Sequence, residues 1–252
     1  MTYLYLPLAF YQDIEGVKSY MGSMRSSDVD LVHELPLFRE MAPEHFDALV
    51  AAALLQKFPP HVTLIREGEL PDFLHVIVDG SVELFAEAGG RETTIEIIRP
   101  VATFILAAVI RDEVYLKSAR TLTPAQILMI PAEAVRDVFS RDAAFARAIV
   151  RELALRYRDM VRALKDHKLR NSAERLANWI LETDRQQGGS GHVVLPHDKR
   201  TLASRLGMTP ENLSRSLASL AAYGVSGSGR EIVIRDRETL QRWAKPNPLI
   251  DG

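Results

Sequence analysis

The sequence predicts an α+β chain built as a small β-roll or barrel, then a long helix, then a winged helix-turn-helix. Three observations carry that expectation. Turn signals recur at Pro59-Pro60, Glu67-Gly68-Glu69, Asp79-Gly80, Gly89-Gly90, Pro100 and Pro124, the close spacing of a compact all-β unit. Between Pro131 and Gly188 the chain runs without Gly or Pro, as continuous helix requires. Further on, Ala203, Gly207 and Leu213 stand at helix-turn-helix spacing. The first is small enough for two helices to approach, the second supplies a tight turn, and the third anchors one helix on the other.

In chain order, residues 1–27 form an N-terminal extension of mixed aromatics with a Gly-Ser end, to which no function is assigned. Residues 28–132 form the β-roll, entered through a short helical stretch marked by Leu37, Phe38, Phe46, Leu49 and Val50. Residues 133–169 form a helical connector in which Ile149, Leu153, Arg156, Met160, Leu164 and His167 recur at steps of four and three. This imperfect heptad stripe points to a two-helix seam and so to a homodimer, with packing of the stripe on the chain's own β-unit as the alternative. Residues 170–245 form the winged unit and 246–252 a C-terminal tail. In the winged unit, Gly188–Gly191 is a turn before a short strand over 192–195, Asp198 caps a helix opening near Lys199, and Tyr223-Gly224 closes the second helix. Val225 to Ile234 then reads as two strands around a Gly-rich turn.

The 252 residues, 47% hydrophobic and 25% charged, suffice for two cores. A net charge of −2 does not announce a polyanion partner, yet residues 171–252 carry 11 Lys and Arg against 9 Asp and Glu, so any such footprint is local. The lack of cysteine excludes disulfides, thiol switching and thiolate-held iron–sulfur clusters within the chain. The most apolar run, Phe104–Ile110, is too short to span a bilayer, and residues 1–10 have neither the basic region nor the cleavage site of a secretory signal. A cytoplasmic protein without a membrane partner is expected. Neither His-Glu-x-x-His nor Gly-x-Ser-x-Gly occurs, and no Gly-Lys-Ser/Thr follows Gly188–Gly191, so an enzyme is not expected.

On the second helix of the motif, Pro210 takes the first turn, where its missing N–H costs nothing. Thr209, Glu211, Asn212, Ser214 and Arg215 then occupy the N-terminal stretch that a recognition helix offers to the major groove. Arg215 can hold guanine O6 and N7 bidentately, Glu211 can accept from a cytosine amino group, and Ser214 can reach a base or a phosphate. Lys199, Arg200 and Arg230 are expected on phosphates. The chain therefore reads as a regulator that binds double-stranded DNA at specific sequences.

This order of parts, over about residues 30–245, resembles the CRP/FNR family of bacterial transcription regulators. Gly68-Glu69 followed by Phe73–Phe85 is similar to the family's turn and strand pair, and Glu211-Asn-Leu-Ser-Arg215 is similar to the Glu-x-x-Ser-Arg of its FNR branch. The resemblance implies a cyclic-nucleotide-binding-like sensor domain, RNA polymerase as a partner, and TTGAT-like half-sites in a palindrome read by Glu211, Ser214 and Arg215. Cyclic-AMP-binding members carry a Gly-Glu cassette followed by Arg-Ser. Here Thr103–Ile110 offers neither glycine nor acid, and Lys117-Ser118 stands in place of Arg-Ser, so a cyclic nucleotide loses most of its polar partners. Thr103-Phe104 and Tyr115–Leu128 are similar instead to the cysteine-free, nitric-oxide-responsive Dnr/NnrR-type branch. That likeness implies haem in an apolar effector pocket of Phe104, Ile105, Leu106, Ala107 and Val109, with Lys117, Ser118 and His75 beside it. His75, His33 and His167 are the candidate axial ligands, and the gas sensed would be one such as nitric oxide. A ligand-independent regulator, or one sensing another small apolar ligand or a cyclic nucleotide, is the alternative.

Overall fold

The computed structural model describes residues 26–251, so nearly all of the N-terminal extension lies outside the described residues. The chain forms two compact units that divide within one long helix, between Ala154 and Leu155. Thr93–Ile95 group with the second unit, although the strand that carries them belongs to the sheets of the first.

In the first unit, α1 (Ser26–His33) and α2 (Pro43–Ala52) precede strands β1 (Leu54–Phe58), β2 (Thr63–Ile65), β3 (Phe73–Asp79), β4 (Val82–Ala88), β5 (Arg91–Ile98) and β6 (Ala102–Phe104). A short helix, α3 (Leu106–Arg111), separates these from β7 (Ser118–Thr121) and β8 (Ala125–Pro131), and α4 (Ala132–Arg141) follows. The strands make two four-stranded sheets, β1-β8-β3-β6 and β2-β7-β4-β5. Gly80 turns β3 into β4 at φ 89, and any β-carbon there would collide with the Pro124 carbonyl, which is why Asp79-Gly80 works as a turn signal.

Strand β3 serves two cores at once. Leu74 and Val76 join the helices in a layer with Phe38, Leu49 and Phe145, whereas Ile77 points into the roll with Phe58, Ile127 and Met129. Both faces are buried, so the strand reads as a continuous apolar run where a half-exposed strand would alternate.

The apolar run at 103–110, expected to line one pocket, divides between these layers. Phe104 ends β6 facing the roll interior, Ile105 takes a left-handed backbone at φ 64, and α3 begins. Leu106 and Val109, three apart on one helical face, then pack against α4 in the outer layer with Val135 and Val138. They therefore do not belong to the pocket expected of them. Arg136 of α4 holds the end of α3 by donating to the Val109 carbonyl (3.2 Å) and pairing with Asp112 (2.9 Å).

Asp142 precedes the long helix α5 (Ala143–Leu169) and caps it, its Oδ1 accepting from the Ala144 and Phe145 amides, each at 2.9 Å. Its Oδ2 accepts from the Ala42 amide and lies 3.0 Å from His45 Nδ1, tying the start of α2 to the start of α5. Burial alone would raise this carboxyl; the Phe145 and Ala42 amides, His45 and the Ala144 amide outweigh it and hold the pKa at about 2. A depressed carboxyl stabilises the fold above its unfolded pKa, and that contribution fades as pH falls through about 2. Asp142→Ala is expected to cost about 1–3 kcal/mol at pH 7, because buried amides lose their acceptor, and to flatten the acid limb of the stability profile. Urea unfolding at pH 7 and pH 2.5 measures both; equal stability losses at the two pH values would contradict the assignment.

In the second unit, α6 (Ser172–Gln186) opens with a capping box in which the Asn171 side chain and Glu174 satisfy each other's backbone amides. Then come β9 (His192–Val194), α7 (Lys199–Arg205), α8 (Pro210–Ser219), a 3-10 turn at Leu220–Tyr223, β10 (Val225–Ser228), β11 (Glu231–Ile234), α9 (Arg237–Ala244) and α10 (Pro248–Asp251). The strands form one antiparallel sheet, β10-β11-β9, against a core of Leu176, Ile180, Val193, Leu213, Ile232 and Leu240. Asp184 is fully buried, accepting from the Gly191 amide at 2.8 Å and from Arg237, and so joins α6, the Gly-rich turn and α9. The C-terminal tail is held as well, by a bidentate pair between Arg170 and Asp251 (2.5 and 2.7 Å).

The long helix corrects the expected seam. Ile149 is 1% exposed and belongs to the outer core of the first unit, with Leu153 partly buried against it, so the stripe does not start there. Val150, Ala154, Tyr157, Val161 and Leu164 are exposed and follow one another at steps of four, three, four and three, a regular heptad face that runs one residue later than the expected stripe through Val161 and meets it at Leu164. Met160 and Leu164 of the expected stripe are exposed, and Arg156 is half-buried.

Candidate nucleic-acid interface and effector site

The helix-turn-helix is assembled by the residues that announce it. Asp198 caps α7 by accepting from the Thr201 amide (2.7 Å), and Ala203 is fully buried where α7 meets α8. Gly207 turns the chain at φ 62, and Leu213 anchors α8 at 3% exposure. Thr209 caps α8 through its hydroxyl, which accepts from the Asn212 amide, and Pro210 occupies the first turn.

With Leu213, Ser216 and Leu220 facing the core, Glu211, Ser214 and Arg215 are left exposed on the opposite side of α8, and Asn212 is half-buried. The Glu211 carboxyl is held below its usual range by its own backbone amide, the Thr209 hydroxyl and the charge of Arg215 four residues on. Ser214 donates to the Pro210 carbonyl (3.0 Å), which leaves its oxygen to accept from a base or from water. Lys199 and Arg200, in the first turn of α7, are exposed as well. Arg230, in the wing turn, spends one donor on the Leu195 carbonyl (3.1 Å) and so anchors the wing in addition to presenting charge.

Two supports of the motif left no mark in the sequence pattern. The Arg175 guanidinium, buried in α6, donates to the carbonyls of Leu206 (3.0 Å), Arg170 (2.8 Å) and Gly207 (3.5 Å), stapling the turn to the end of α5. His167 lies against the same turn: a β-carbon on Gly207 would come within 2.8 Å of its ring. An arginine inside an amphipathic helix reads as surface until the fold brings unpaired helix-end carbonyls to it.

Inside the β-roll, His75 alone of the three candidate histidines faces the interior. It is 2% exposed, stacks on Phe104 with ring centroids 5.2 Å apart, and has Phe73 at its edge at 6.4 Å. Neither ring nitrogen makes a hydrogen bond of good geometry. Burial pushes the imidazole down to about 4, with only a weak opposing pull from the Phe73 backbone, so the ring is neutral at physiological pH. His33 packs edge-on against Phe46 (4.7 Å) in the outer layer, and His167 belongs to the second unit as described, so neither shares that interior. Lys117 and Ser118 are half-exposed at the start of β7, and the Ser118 hydroxyl accepts from the Glu67 amide at 3.0 Å.

At the position where a cyclic-nucleotide cassette needs small and acidic residues, α3 begins with Leu106, Ala107 and Ala108 after the left-handed Ile105. Among the described residues no group of three or more His, Cys, Asp or Glu side chains is placed to hold a metal ion by itself. Nor is any described helix long and apolar enough to cross a membrane.

Residues 55–142 match the cyclic nucleotide-binding domain family, and residues 174–243 match the Crp-like helix-turn-helix domain family. The chain is 26% identical over 215 residues to the CRP-like cAMP-activated global transcriptional regulator of Mycobacterium tuberculosis, covering 83% of this chain and 96% of that protein. It is 26% identical over 211 residues, at the same coverage, to the cyclic AMP receptor protein of Thermus thermophilus. In fold it is similar to FixK2 from Bradyrhizobium japonicum, with a TM-score of 0.64 at 22% identity over 79% of this chain and 98% of that one.

Proposed function

The chain belongs to the CRP/FNR family of DNA-binding transcription regulators and is not an enzyme, and we propose that it is a homodimer that reads a TTGAT-like palindrome and takes its signal from haem in the β-roll. The observation that carries the sensing part is His75: a neutral imidazole, sealed in an apolar interior, with no hydrogen bond of good geometry at either nitrogen. Such a nitrogen is a ready axial ligand, and iron held there in a Dnr/NnrR-type regulator supplies a site for a gas such as nitric oxide. Phe73 and Phe104 give the flat apolar walls.

Dimerisation is assigned to the exposed face of α5 formed by Val150, Ala154, Tyr157, Val161 and Leu164. A two-fold protein then offers two copies of α8 to major grooves about 34 Å apart, which is the spacing of a palindrome. Glu211, Ser214 and Arg215 read bases, while Lys199, Arg200 and Arg230 meet phosphates. Signal passes from the interior through Phe104 and the strained Ile105 into α3, whose Leu106 and Val109 pack against α4. Partnership with RNA polymerase and a cytoplasmic location complete the reading.

The cyclic AMP named for the mycobacterial and Thermus relatives is not proposed as the ligand. The stretch after β6 carries no glycine or carboxylate for the sugar, and Lys117 gives a phosphate a point charge where arginine gives a fork. The deciding experiment is an absorption spectrum from about 350 to 650 nm of protein purified without oxygen, before and after haem and nitric oxide. A Soret band that moves with the gas and is lost in His75→Leu is expected, with no change of DNA affinity on adding cyclic AMP. A flat spectrum after haem addition would sink the haem reading and leave the DNA-binding reading intact.

A further inference from the structure

Four buried side-chain atoms lack a hydrogen-bond partner among the described residues: Gln56 Oε1, the two ring nitrogens of His75, and Asn178 Oδ1. Buried polar atoms are almost always satisfied, so each exception needs a cause. The Asn178 amide nitrogen already bonds the Glu174 and Ala244 carbonyls, at 3.0 and 2.9 Å, and that residue acts as a structural tie. The other three atoms fall on one surface. Leu54 and Phe58 pack in the inner core and Leu55 in the outer, so by alternation Gln56 faces the roll interior, as His75 does. Gln56 lies opposite Ile127, and Ile127 lies opposite Ile77, two residues from His75. Strand spacing and rise place the two positions about 12 Å apart across the sheet. Between and around them the interior is apolar: Phe58, Ile77, Phe104, Ile127 and Met129.

We propose that the inner face of the β1-β8-β3-β6 sheet is a two-point ligand site in which Gln56 is the second recognition residue, taking with His75 a flat, largely apolar molecule that carries an N–H or O–H donor at its periphery. The inference rests on the sensing role proposed above and goes beyond it by assigning Gln56 and the donor it selects. An amide oxygen in apolar surroundings destabilises the empty roll and is compensated when a ligand donates to it. Haem bound through His75, with a protonated carboxyl group at its edge, is one such molecule, and haemin is the probe.

The experiment compares the full-length wild type with Gln56→Leu and His75→Leu, each close in volume to the residue it replaces. Melting of the ligand-free proteins is measured alongside haemin titration followed at the Soret band. Removing an orphaned polar group for an apolar one should raise the melting temperature of each variant by about 2–4 °C. His75→Leu should lose the Soret band, while Gln56→Leu should keep its position but bind haemin at least about fivefold more weakly, the effect of one lost hydrogen bond. Haemin binding by Gln56→Leu equal to that of wild type overturns the proposal. If wild type takes no haemin, the haem reading fails alone and the melting data decide the site: an unchanged or lowered melting temperature in either variant overturns it.

Discussion

Arg215→Ala is expected to abolish most of the discrimination between a TTGAT-like palindrome and random DNA while leaving the fold intact. The side chain is exposed on α8 and belongs to neither the core nor the caps of the motif, so circular dichroism and melting should match wild type. A bidentate contact to guanine is worth about 1–3 kcal/mol, and a homodimer makes it twice. Specific affinity should therefore fall by between about 30-fold and 20,000-fold. Non-specific affinity, which follows phosphate contacts, should change little. Lys199→Ala gives the opposite signature: binding weakened on all sequences alike, with the salt slope reduced by about two, one for each protomer. Titrations on specific and scrambled duplexes at two salt concentrations separate the two. Preserved discrimination in Arg215→Ala would mean that another surface reads the bases.

Val161→Glu is expected to split the dimer without unfolding the chain. Val161 is 38% exposed in the isolated chain and is the fourth of the five residues on the heptad face of α5. In a two-fold seam the substitution buries two carboxylates against each other, each with a desolvation cost of several kcal/mol, so the dimer constant should weaken by more than about a hundredfold. DNA affinity should collapse with it, because each half-site then binds alone. Ile149→Glu is the control that reads the register: at 1% exposure that side chain belongs to the core of the first unit, and its replacement should unfold that unit. Sedimentation of both variants gives the answer. A Val161→Glu protein that stays dimeric would place the seam on another face.

Much of the DNA-binding unit was legible in the residues alone because its signals are local. A cap at Asp198, a glycine that must turn at Gly207 and a proline tolerated only in a first helical turn at Pro210 each act within a few residues of where they stand. The wing was legible for the same reason, through Gly224 and Gly229 at positive φ on either side of short strands. Arg175 and Asp184 were not legible. Their partners, at Leu206 and Gly207 and at Arg237, are distant in sequence and meet them only after packing.

The residues alone were enough for the order of parts and for the outward set Glu211, Ser214 and Arg215 on α8, and they left His75 as one of three candidate histidines. Packing was needed to show which face of α5 stays exposed and how the 103–110 run divides. In α5 apolar residues occur in neighbouring pairs, Ile149 with Val150 and Met160 with Val161, so apolar content marks two adjacent stripes. Only the first unit's core, by claiming Ile149, leaves Val150 and its successors outward. Likewise Phe104 and Leu106 are equally apolar to the eye, and a single left-handed residue at Ile105 sends them to opposite sides of the sheet. Hydrophobicity is non-directional: it says that a side chain will be buried, and the surrounding packing says against what.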